Sequence, residues 1–209
     1  NPCGEQPLLD YEACNLGSLN IAEYVLPDGS NLDWENLSMG ICYAIRFLDN
    51  VVEANHWPIS EIQKVSLGNR KIGLGIMGFA DALVLLGIRY DSDQAVDFAK
   101  QLGLFFQEHA HSASCKLAEK RGCFPKWNGS FWDTDLHMSM RNATCTTIAP
   151  TGSISIIARC SSGIEPIFNL AYKRRALEGD EFVQRHPLLE RLGNEQGWIN
   201  ENLIKLILA

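Results

Sequence analysis

Two long segments of the chain place apolar residues at helical spacing. The first predicts a helix that starts at about Asp33 and is stopped by Pro58. Its apolar face consists of Leu37, Ile41, Ala44, Ile45, Leu48 and Val52. The second is the clearest periodic segment of the chain and predicts a helix over 92–121, closed by Gly122 and Pro125. Its apolar stripe consists of Ala95, Phe98, Leu102, Phe105, His109, Ala113 and Leu117.

Shorter segments predict four more helices. Ser60 is expected to cap a helix that runs through Leu67 and ends at Gly68-Asn69. A compact apolar helix is expected over 79–86, with Gly87 as its end. Two terminal helices are expected over 186–196 and 201–208.

The remaining segments predict strands, loops and a turn. The β-branched residues of 143–149 favour a strand, and a second strand is expected over 167–172. Residues 6–17 and 124–140 are interpreted as irregular loops because they are rich in turn-forming residues. The turn at 150–153 could open a helix. Mixed helices and strands predict the α/β fold class.

Composition and charge exclude several kinds of protein. With 46% hydrophobic and 21% charged residues, the 209-residue chain is expected to fold into a core. The net charge of −7 disfavours a DNA-binding surface, which needs clustered Lys and Arg. The longest nearly apolar run, 80–88, is too short to span a membrane. We therefore expect no DNA partner and no membrane partner.

Seven cysteines form an odd, irregularly spaced set without a CxxC motif. Together with the missing signal peptide, this indicates a reducing, cytoplasmic compartment. Most of these thiols are expected to be small buried hydrophobes.

Residues 73–78 match the dinucleotide fingerprint GxGxxG, and Ile88-Arg89-Tyr90-Asp91 could supply a strand that ends in a ribose-binding acid. An NAD-dependent dehydrogenase is therefore one alternative function. Residues 66–71, however, offer no apolar run for the buried strand that should precede the motif. We favour the interpretation that these glycines let a backbone turn and a helix pack closely.

A second alternative is a thiol-dependent or metal-binding redox protein built on Cys3, Cys14, Cys115 and Cys123. His111 and Cys115 are four residues apart and share a helix face. His109 points to a different side from His111, and paired ligands at short spacing are missing. We therefore predict no metal site, with His109 as a core histidine.

The segment Asn1-Pro2-Cys3-Gly4-Glu5 groups an amide, a thiol and a carboxylate at alternate positions, with Cys14 further along the same loop. Alternate residues of an extended segment project to one side, so the three groups could share a small volume. On the residues alone, a surface loop with a buried cysteine is the better explanation of the segment.

Four motifs in order resemble the ribonucleotide reductases. They are the 1–5 segment continued by 12–20, the 70–81 segment, the 143–155 segment and the 160–168 segment. The first resembles the radical-cysteine finger loop of that family, and the third resembles its substrate-phosphate loop. Pro2 and Gly4 are similar to the adenosylcobalamin-dependent class.

The resemblance implies a fold and a domain organisation. The family fold is a ten-stranded α/β barrel of two five-stranded parallel halves, with the finger loop running through its centre. The chain would be a partial catalytic barrel domain over 1–209, containing five parallel strands and surrounding helices. Its finger loop would be 1–17 and its phosphate-binding loop 150–154. The N-terminal half of the barrel would be absent, so the chain alone is expected to be inactive.

The resemblance also implies the chemistry, which is reduction of ribonucleotides to 2′-deoxyribonucleotides for DNA synthesis. Adenosylcobalamin would generate a thiyl radical on Cys3 that takes the 3′ hydrogen of the ribose. Glu5 would act as base on the 3′ hydroxyl, and Asn1 would hold the ribose hydroxyls. Cys14 would belong to the redox disulfide pair, with its partner in the missing half. Substrate would be bound by Pro2, Gly4, Pro150, Thr151, Gly152, Ser153 and Ile154.

The same resemblance implies the partners. A ribonucleoside di- or triphosphate would be the substrate, thioredoxin or glutaredoxin would re-reduce the cysteine pair, and a homodimer is possible. Amide N–H groups at a helix start can hold the phosphates without Lys or Arg, which is compatible with the acidic net charge. The other cysteines, Cys42, Cys115, Cys123, Cys145 and Cys160, are assigned structural roles.

Overall fold

The computed structural model describes residues 3–175 and 181–208, which form eight helices and four strands in that part of the chain. The helices are α1 Trp34–Ala54, α2 Ser60–Asn69, α3 Phe79–Leu85, α4 Asp93–Arg121, α5 Phe131–Thr134, α6 Gly152–Ala158, α7 Pro187–Glu195 and α8 Glu201–Ile207. The strands are β1 Asn15–Asn20, β2 Ile72–Met77, β3 Ala171–Arg175 and β4 Glu181–Arg185. A 3-10 turn, Ile21–Tyr24, follows β1.

The core lies where α1 packs against α4 and against the two parallel strands. Asp33 caps α1 by accepting the Asn36 N–H, and Ser92 caps α4 by accepting the Ala95 N–H. Both predicted helices are confirmed. The stripe of α4 is confirmed only in part, because Phe106 is buried where Phe105 was expected. A step of four residues from Leu102 keeps the side chain on the buried face, whereas a step of three moves it to the edge.

Strands β1 and β2 pair in parallel, with Asn15 opposite Ile72 and Asn20 opposite Met77. Residues 144–147 run along the other side of β2, where Leu74 N donates to Cys145 O at 2.8 Å and Thr147 N donates to Leu74 O at 3.0 Å. β2 is therefore the middle of a three-membered layer. A Cβ added to Gly75 would lie 2.8 Å from the Thr147 carbonyl oxygen, so this close approach requires glycine.

Several predicted elements differ from the structure. Residues 143–149 form one parallel bridge, Leu74 to Thr146, in place of a full strand. The loop expected over 6–17 ends at Cys14, because β1 begins at Asn15. The strand expected over 167–172 starts only at Ala171. β-branched composition shows which residues fit a pleated surface, but partners along the whole segment decide whether a ladder forms.

The prediction of five parallel strands is also corrected for the described residues. Only β1 and β2 pair as parallel strands there, whereas β3 and β4 form an antiparallel hairpin. An antiparallel pair needs only a short connection, whereas parallel strands require a long crossover such as the one from β1 through α1 and α2 to β2. The α/β class itself is confirmed by the mixture of helices and strands.

The remaining helices were predicted with small differences at their ends. Ser60 is the first residue of α2 rather than its cap, since Ile59 occupies the cap position without a side-chain hydrogen bond. The region 124–140 contains the short helix α5. No helix in the described ranges is long and apolar enough to cross a membrane.

A buried carboxylate joins three helix ends. Asp49, near the end of α1, is fully buried and accepts from Arg70 Nε at 2.9 Å and from Arg121 Nη1 at 2.9 Å. Arg70 is the residue after α2, and Arg121 is the last residue of α4. Asn142 Nδ2 donates to the same carboxylate at 3.1 Å. Arg141 donates to the Arg121 and Gly122 carbonyl oxygens at 3.1 Å, so the guanidinium groups meet the negative ends of helix dipoles as well as Asp49.

We predict that Asp49→Ala lowers the free energy of unfolding by about 3–5 kcal/mol, because breaking a buried ion pair leaves the partner charge uncompensated. Urea denaturation measures the change. Asp97→Ala is the matched control, since that carboxylate is 75% exposed and forms an ion pair with the exposed Lys100. Equal losses in the two variants would contradict the assigned role of Asp49.

The same carboxylate predicts a pH dependence of stability. Burial alone would raise the pKa of Asp49, but the charges and hydrogen bonds of Arg70, Arg141 and Arg121 outweigh it and lower the pKa below 3.8. A lowered folded-state pKa means that the stabilisation is complete above the unfolded value and is lost as the pH falls through the folded value. Below about pH 4 the unfolding free energy of Asp49→Asn should therefore fall less steeply than that of the unsubstituted protein.

Candidate active site

The loop from Cys3 to Cys14 is fixed to the middle of the sheet. The Gln6 side chain is 3% exposed, and its Nε2 donates to the carbonyl oxygens of Ile72 at 3.3 Å and Thr146 at 3.1 Å. The Thr147 hydroxyl donates to the backbone carbonyl of Glu5. Gln6 and Thr147 thus place the start of the loop across β2 and its neighbouring segment, so the loop position follows from sheet pairing.

A charged clamp holds the second half of the loop. Lys71 Nζ lies 2.8 Å from Glu12 Oε2 and donates to the Pro7 carbonyl at 2.8 Å. The Glu12 carboxylate also accepts from Leu9 N at 2.8 Å and from the Asn69 amide. Burial would raise the pKa of Glu12, but the bonds from Lys71, Leu9 and Asn69 outweigh it and lower the pKa. Glu12 is therefore ionised at neutral pH and fastens the loop to the α2–β2 junction.

Three of the five residues of the predicted catalytic segment are described. Cys3 is exposed, and Gly4 beside it has a φ of 70° with open space where a Cβ would be. The Glu5 Oε2 atom is shielded from solvent, and within the described residues it has no hydrogen-bond partner. Asn1 and Pro2, predicted to contact the substrate, lie outside the described residues. The accessible sulfur and the carboxylate are two residues apart on one anchored loop.

Cys14 stands directly before β1 and is half-buried. Burial raises the pKa of its thiol, and the carboxylates of Glu5 and Glu12 raise it further, against the opposing charge of Lys71. At neutral pH Cys14 is a protonated thiol, which is a form that can give up a hydrogen atom or a proton.

The predicted phosphate-binding loop, 150–154, opens helix α6 as expected. Thr151 is buried in the left-handed region with a φ of 53°, and its hydroxyl accepts from Gly163 N at 2.7 Å. The other four residues of the loop are exposed, namely Pro150, Gly152, Ser153 and Ile154. Amide groups in the first turn of a helix have no intrahelical acceptor, so those of 152–154 are available to a ligand.

The two candidate regions are joined by one extended segment. Thr147 contacts the Cys3–Cys14 loop, and Thr151 begins the turn only four residues later. Because 144–147 runs parallel to β2, the 150–154 loop lies beyond the carboxyl ends of these strands, where ligands bind in open α/β sheets. The structure therefore places the backbone of Glu5 and the start of α6 along one member of the sheet layer.

The glycine motif does not form a dinucleotide site. Gly73 and Gly75 lie inside β2, and Gly78 caps α3 with a φ of 70°. In a dinucleotide fold these glycines follow the strand. Residues 88–91 form no strand, and Arg89 makes an exposed ion pair with Asp91. Close packing explains the glycines, but Gly73 and Gly75 pack within the sheet layer rather than at the expected contact of a turn with a helix, and of the three only Gly78 stands at a helix start.

The histidine and cysteine set on α4 is used in packing. His109 stacks on Phe105 with ring centroids 3.9 Å apart, and it is half-buried at the edge of the core. His111 packs edge-on against Trp132, and burial lowers its pKa. Cys115 Sγ contacts Met140 Sδ at 3.4 Å. Within 3–175 and 181–208, no three His, Cys, Asp or Glu side chains come together as a metal site.

The expectation that most cysteines are buried is wrong. Cys145 is buried, and burial raises its pKa to about 12. Cys42 is exposed, whereas Cys115, Cys123 and Cys160 are half-buried, with the pKa of Cys160 raised by burial to about 11. Cys42 follows the buried Ile41 on α1 and so points away from the core, which composition alone does not reveal.

Sequence reasoning missed the residues that hold the loop. Gln6, Glu12, Lys71 and Thr147 make its anchoring contacts, and they come from three separate segments of the chain. A signal was present for Glu12, Lys71 and Thr147, since all three lie in motifs that were singled out for other reasons. Nothing in the sequence shows that a single amide side chain, Gln6, reaches two carbonyl groups.

Comparison with known proteins identifies the family. The family model described as ribonucleotide reductase, barrel domain, matches residues 1–140 and 136–207. A vitamin B12-dependent ribonucleoside-diphosphate reductase of Thermoplasma acidophilum is 50% identical over 207 residues, covering 99% of this chain and 27% of that protein. The protein of that name from Mycobacterium tuberculosis H37Rv is 45% identical over 206 residues, covering 98% of this chain and 28% of its own length. A ribonucleoside-diphosphate reductase subunit alpha of Chlamydia muridarum is 34% identical over 215 residues, covering 86% of this chain and 20% of that protein.

The chain thus spans about a quarter of the length of the relatives it matches, while nearly all of the chain is matched. Sheet pairing, the anchored loop and the turn at 150–154 fall within the matched residues. The chain belongs to the ribonucleotide reductase barrel domain family.

Proposed function

We propose that the chain forms part of the catalytic centre of a vitamin B12-dependent ribonucleoside-diphosphate reductase, which converts ribonucleotides to 2′-deoxyribonucleotides for DNA synthesis. The observation that carries the proposal is the anchored loop. It presents Cys3, Glu5 and Cys14 and is tied by Thr147 to the segment that leads into 150–154. The names of the relatives supply the reaction and the cofactor.

The domain organisation follows from the same proposal. The chain is a partial catalytic barrel domain, with the loop up to Cys14 as the finger and 150–154 as the phosphate loop. β1, β2 and the 144–147 segment are adjacent members of a ten-stranded barrel. Most of the relatives' length lies outside this chain, and the rest of the barrel is assigned to that part.

Cys3 starts the reaction in this proposal. A thiyl radical at its Sγ takes the 3′ hydrogen atom of the ribose, and the sulfur returns that atom to C3′ at the end of the cycle. Glu5 accepts the 3′ hydroxyl proton through its shielded Oε2, which lacks a competing donor among the described residues. The 2′ hydroxyl then leaves as water, and Asn1 holds the ribose hydroxyls.

Cys14 supplies reducing equivalents. It and a second thiol outside this chain give two electrons and two protons, and they end as a disulfide, so that one ribonucleotide and two thiols yield one deoxyribonucleotide, one water and one disulfide. Thioredoxin or glutaredoxin then re-reduces the pair. The raised pKa of Cys14 keeps it protonated until it is used.

Adenosylcobalamin is the proposed source of the radical, supplying an organic radical by cobalt–carbon homolysis when it is bound. The described residues fit such a group, because the Cys3 sulfur is exposed and the space beside Gly4 is open. These two residues would face the cofactor. Gln6 would keep the sulfur in place, since it fixes the loop three residues away from Cys3.

The substrate is a ribonucleoside di- or triphosphate, held by Pro2, Gly4 and the 150–154 loop. Gly152, Ser153 and Ile154 are exposed residues in the first turn of α6, where amide groups lack intrahelical acceptors and can donate to phosphate oxygens. The loop carries no cation, so binding here depends on directed N–H groups rather than on net charge.

We predict that Cys3→Ser in the full-length enzyme abolishes deoxynucleotide formation, because an alkoxyl radical is far harder to form than a thiyl radical. Nucleotide affinity should stay within about twofold, since a change of that size is well below 1 kcal/mol. A chemical-quench assay and equilibrium nucleotide binding measure the two quantities. Cys42→Ser, at an exposed cysteine of α1, is the matched control and should remain fully active. Turnover of Cys3→Ser close to the unsubstituted rate would reject Cys3 as the radical site.

We predict a different defect for Cys14→Ser. Hydrogen abstraction at C3′, measured as tritium release from 3′-labelled substrate, should survive. Repeated turnover with a dithiol reductant should fail, because the electron-donating pair is broken. Steady turnover of this variant with dithiothreitol would show that Cys14 is only a structural thiol.

A further inference from the structure

The 150–154 loop rests on a second loop rather than on charged side chains of its own. Gly163 N donates to the Thr151 hydroxyl at 2.7 Å, and the hydroxyls of Ser155 and Ser162 lie 2.9 Å apart. Thr151 and Ser155 are both buried, whereas the rest of the loop is exposed. The shape of the loop therefore depends on where residues 161–163 are held.

Residues 161–163 are held by the first turn of α3. Gly78 N donates to the Ser161 carbonyl at 2.8 Å, and Asp81 Oδ2 accepts from Ser161 N at 2.9 Å. Asp81 N also donates to the Ser161 hydroxyl at 3.4 Å. The backbone N–H of each residue therefore bonds to the side chain of the other. Gly163 has a φ of 48°, and a Cβ there would lie 2.9 Å from the Ala149 carbonyl, which leaves the segment little freedom.

The Asp81 carboxylate is an unusual anchor because it is buried. It is 2% exposed, and a buried carboxylate is unfavourable unless donors surround it. Its Oδ1 has no hydrogen bond within the described part of the chain, but His186 Nε2 lies 3.3 Å away. His186 Nδ1 accepts from Leu188 N at 3.3 Å, which assigns the proton of the neutral ring to Nε2, facing Asp81. The carboxylate thus lies between Ser161 and His186.

We propose that Asp81 is a positioning residue for the nucleotide phosphates, acting through Ser161 and Gly163 on the 150–154 loop, with His186 fixing the orientation of its carboxylate. The proposal rests on the assignment of that loop to phosphate binding. Asp81 itself touches no ligand. Its effect is to aim the loop amides at the phosphate group.

The test uses Asp81→Asn in the full-length enzyme, with inorganic pyrophosphate as a competitive inhibitor. An amide of the same shape cannot present an oxygen both to Ser161 N and to the Nε2 side of His186, so one of the two contacts is lost. The KM for a ribonucleoside diphosphate and the inhibition constant of pyrophosphate should each rise about tenfold, the effect of about 1.4 kcal/mol in binding. The kcat at saturating substrate should stay within about twofold, because the substrate and the transition state lose the same binding free energy.

Asp97→Asn, at an exposed carboxylate of α4, is the matched control and should change neither constant. Unchanged KM and inhibition constant in Asp81→Asn would overturn the proposal, and so would a loss of kcat with KM unchanged.

If Asp81→Asn fails to fold, the His186→Asn variant tests the proposal instead. It keeps an acceptor for Leu188 N but is too short to reach Asp81, and it should raise the inhibition constant about threefold. No rise in that variant would overturn the proposal.

Gly152→Val separates this proposal from the assigned function of the loop. A Cβ at Gly152 meets no atom within 4 Å, so valine fits the fold but fills the space in front of the loop amides. Loss of pyrophosphate inhibition in Gly152→Val with no change in Asp81→Asn would overturn the role of Asp81 alone. Unchanged inhibition in Gly152→Val would remove the loop from phosphate binding, and with it both proposals.

Discussion

The burial of one carboxylate governs where the sheet and its loops lie. Asp49 cannot remain ionised inside the core unless guanidinium groups reach it, so α1, α2 and α4 must end at one corner. Asn142 joins the same cluster and is followed directly by the segment that pairs with β2. The carboxylate thereby helps to position β2, which follows Arg70, and the 144–147 segment, which follows Asn142.

From that corner outward, the site is assembled through main-chain groups. Gln6 reaches two carbonyl oxygens of the sheet layer, and the 161–163 segment meets the first-turn amides of α3. Such contacts are directional, and on the sheet side they use backbone carbonyl oxygens. They hold the start of the Cys3–Cys14 loop and the 161–163 segment, while the Lys71–Glu12 ion pair is the charged contact further along the Cys3–Cys14 loop.

Periodicity predicted α1 and α4 because their apolar faces are long, and the family motifs indicated Cys3, Cys14 and the 150–154 turn. The prediction of a full strand over 143–149 was wrong, since the segment forms a single bridge to β2. β-branched residues indicate a preference for a pleated surface but not the length of the ladder. Gln6, Glu12 and Asp81 could not be predicted as anchors. Gln6 reaches Ile72, Glu12 reaches Lys71 and Asp81 reaches Ser161, and only folding brings these distant partners near. The family resemblance supplied the chemistry, while residue patterns alone favoured a surface loop.

The segment between Thr147 and Thr151 has a consequence for how this family can change over time. One end is tied to the loop that carries Cys3 and the other to the start of α6, and four residues of extended chain reach at most about 14 Å. Under the proposed function, the length of this segment sets the distance between the sugar end and the phosphate end of a bound nucleotide. Its side chains can drift, but an insertion or deletion of a single residue would shift one end of the substrate relative to the other. Length, rather than composition, is what selection should preserve there.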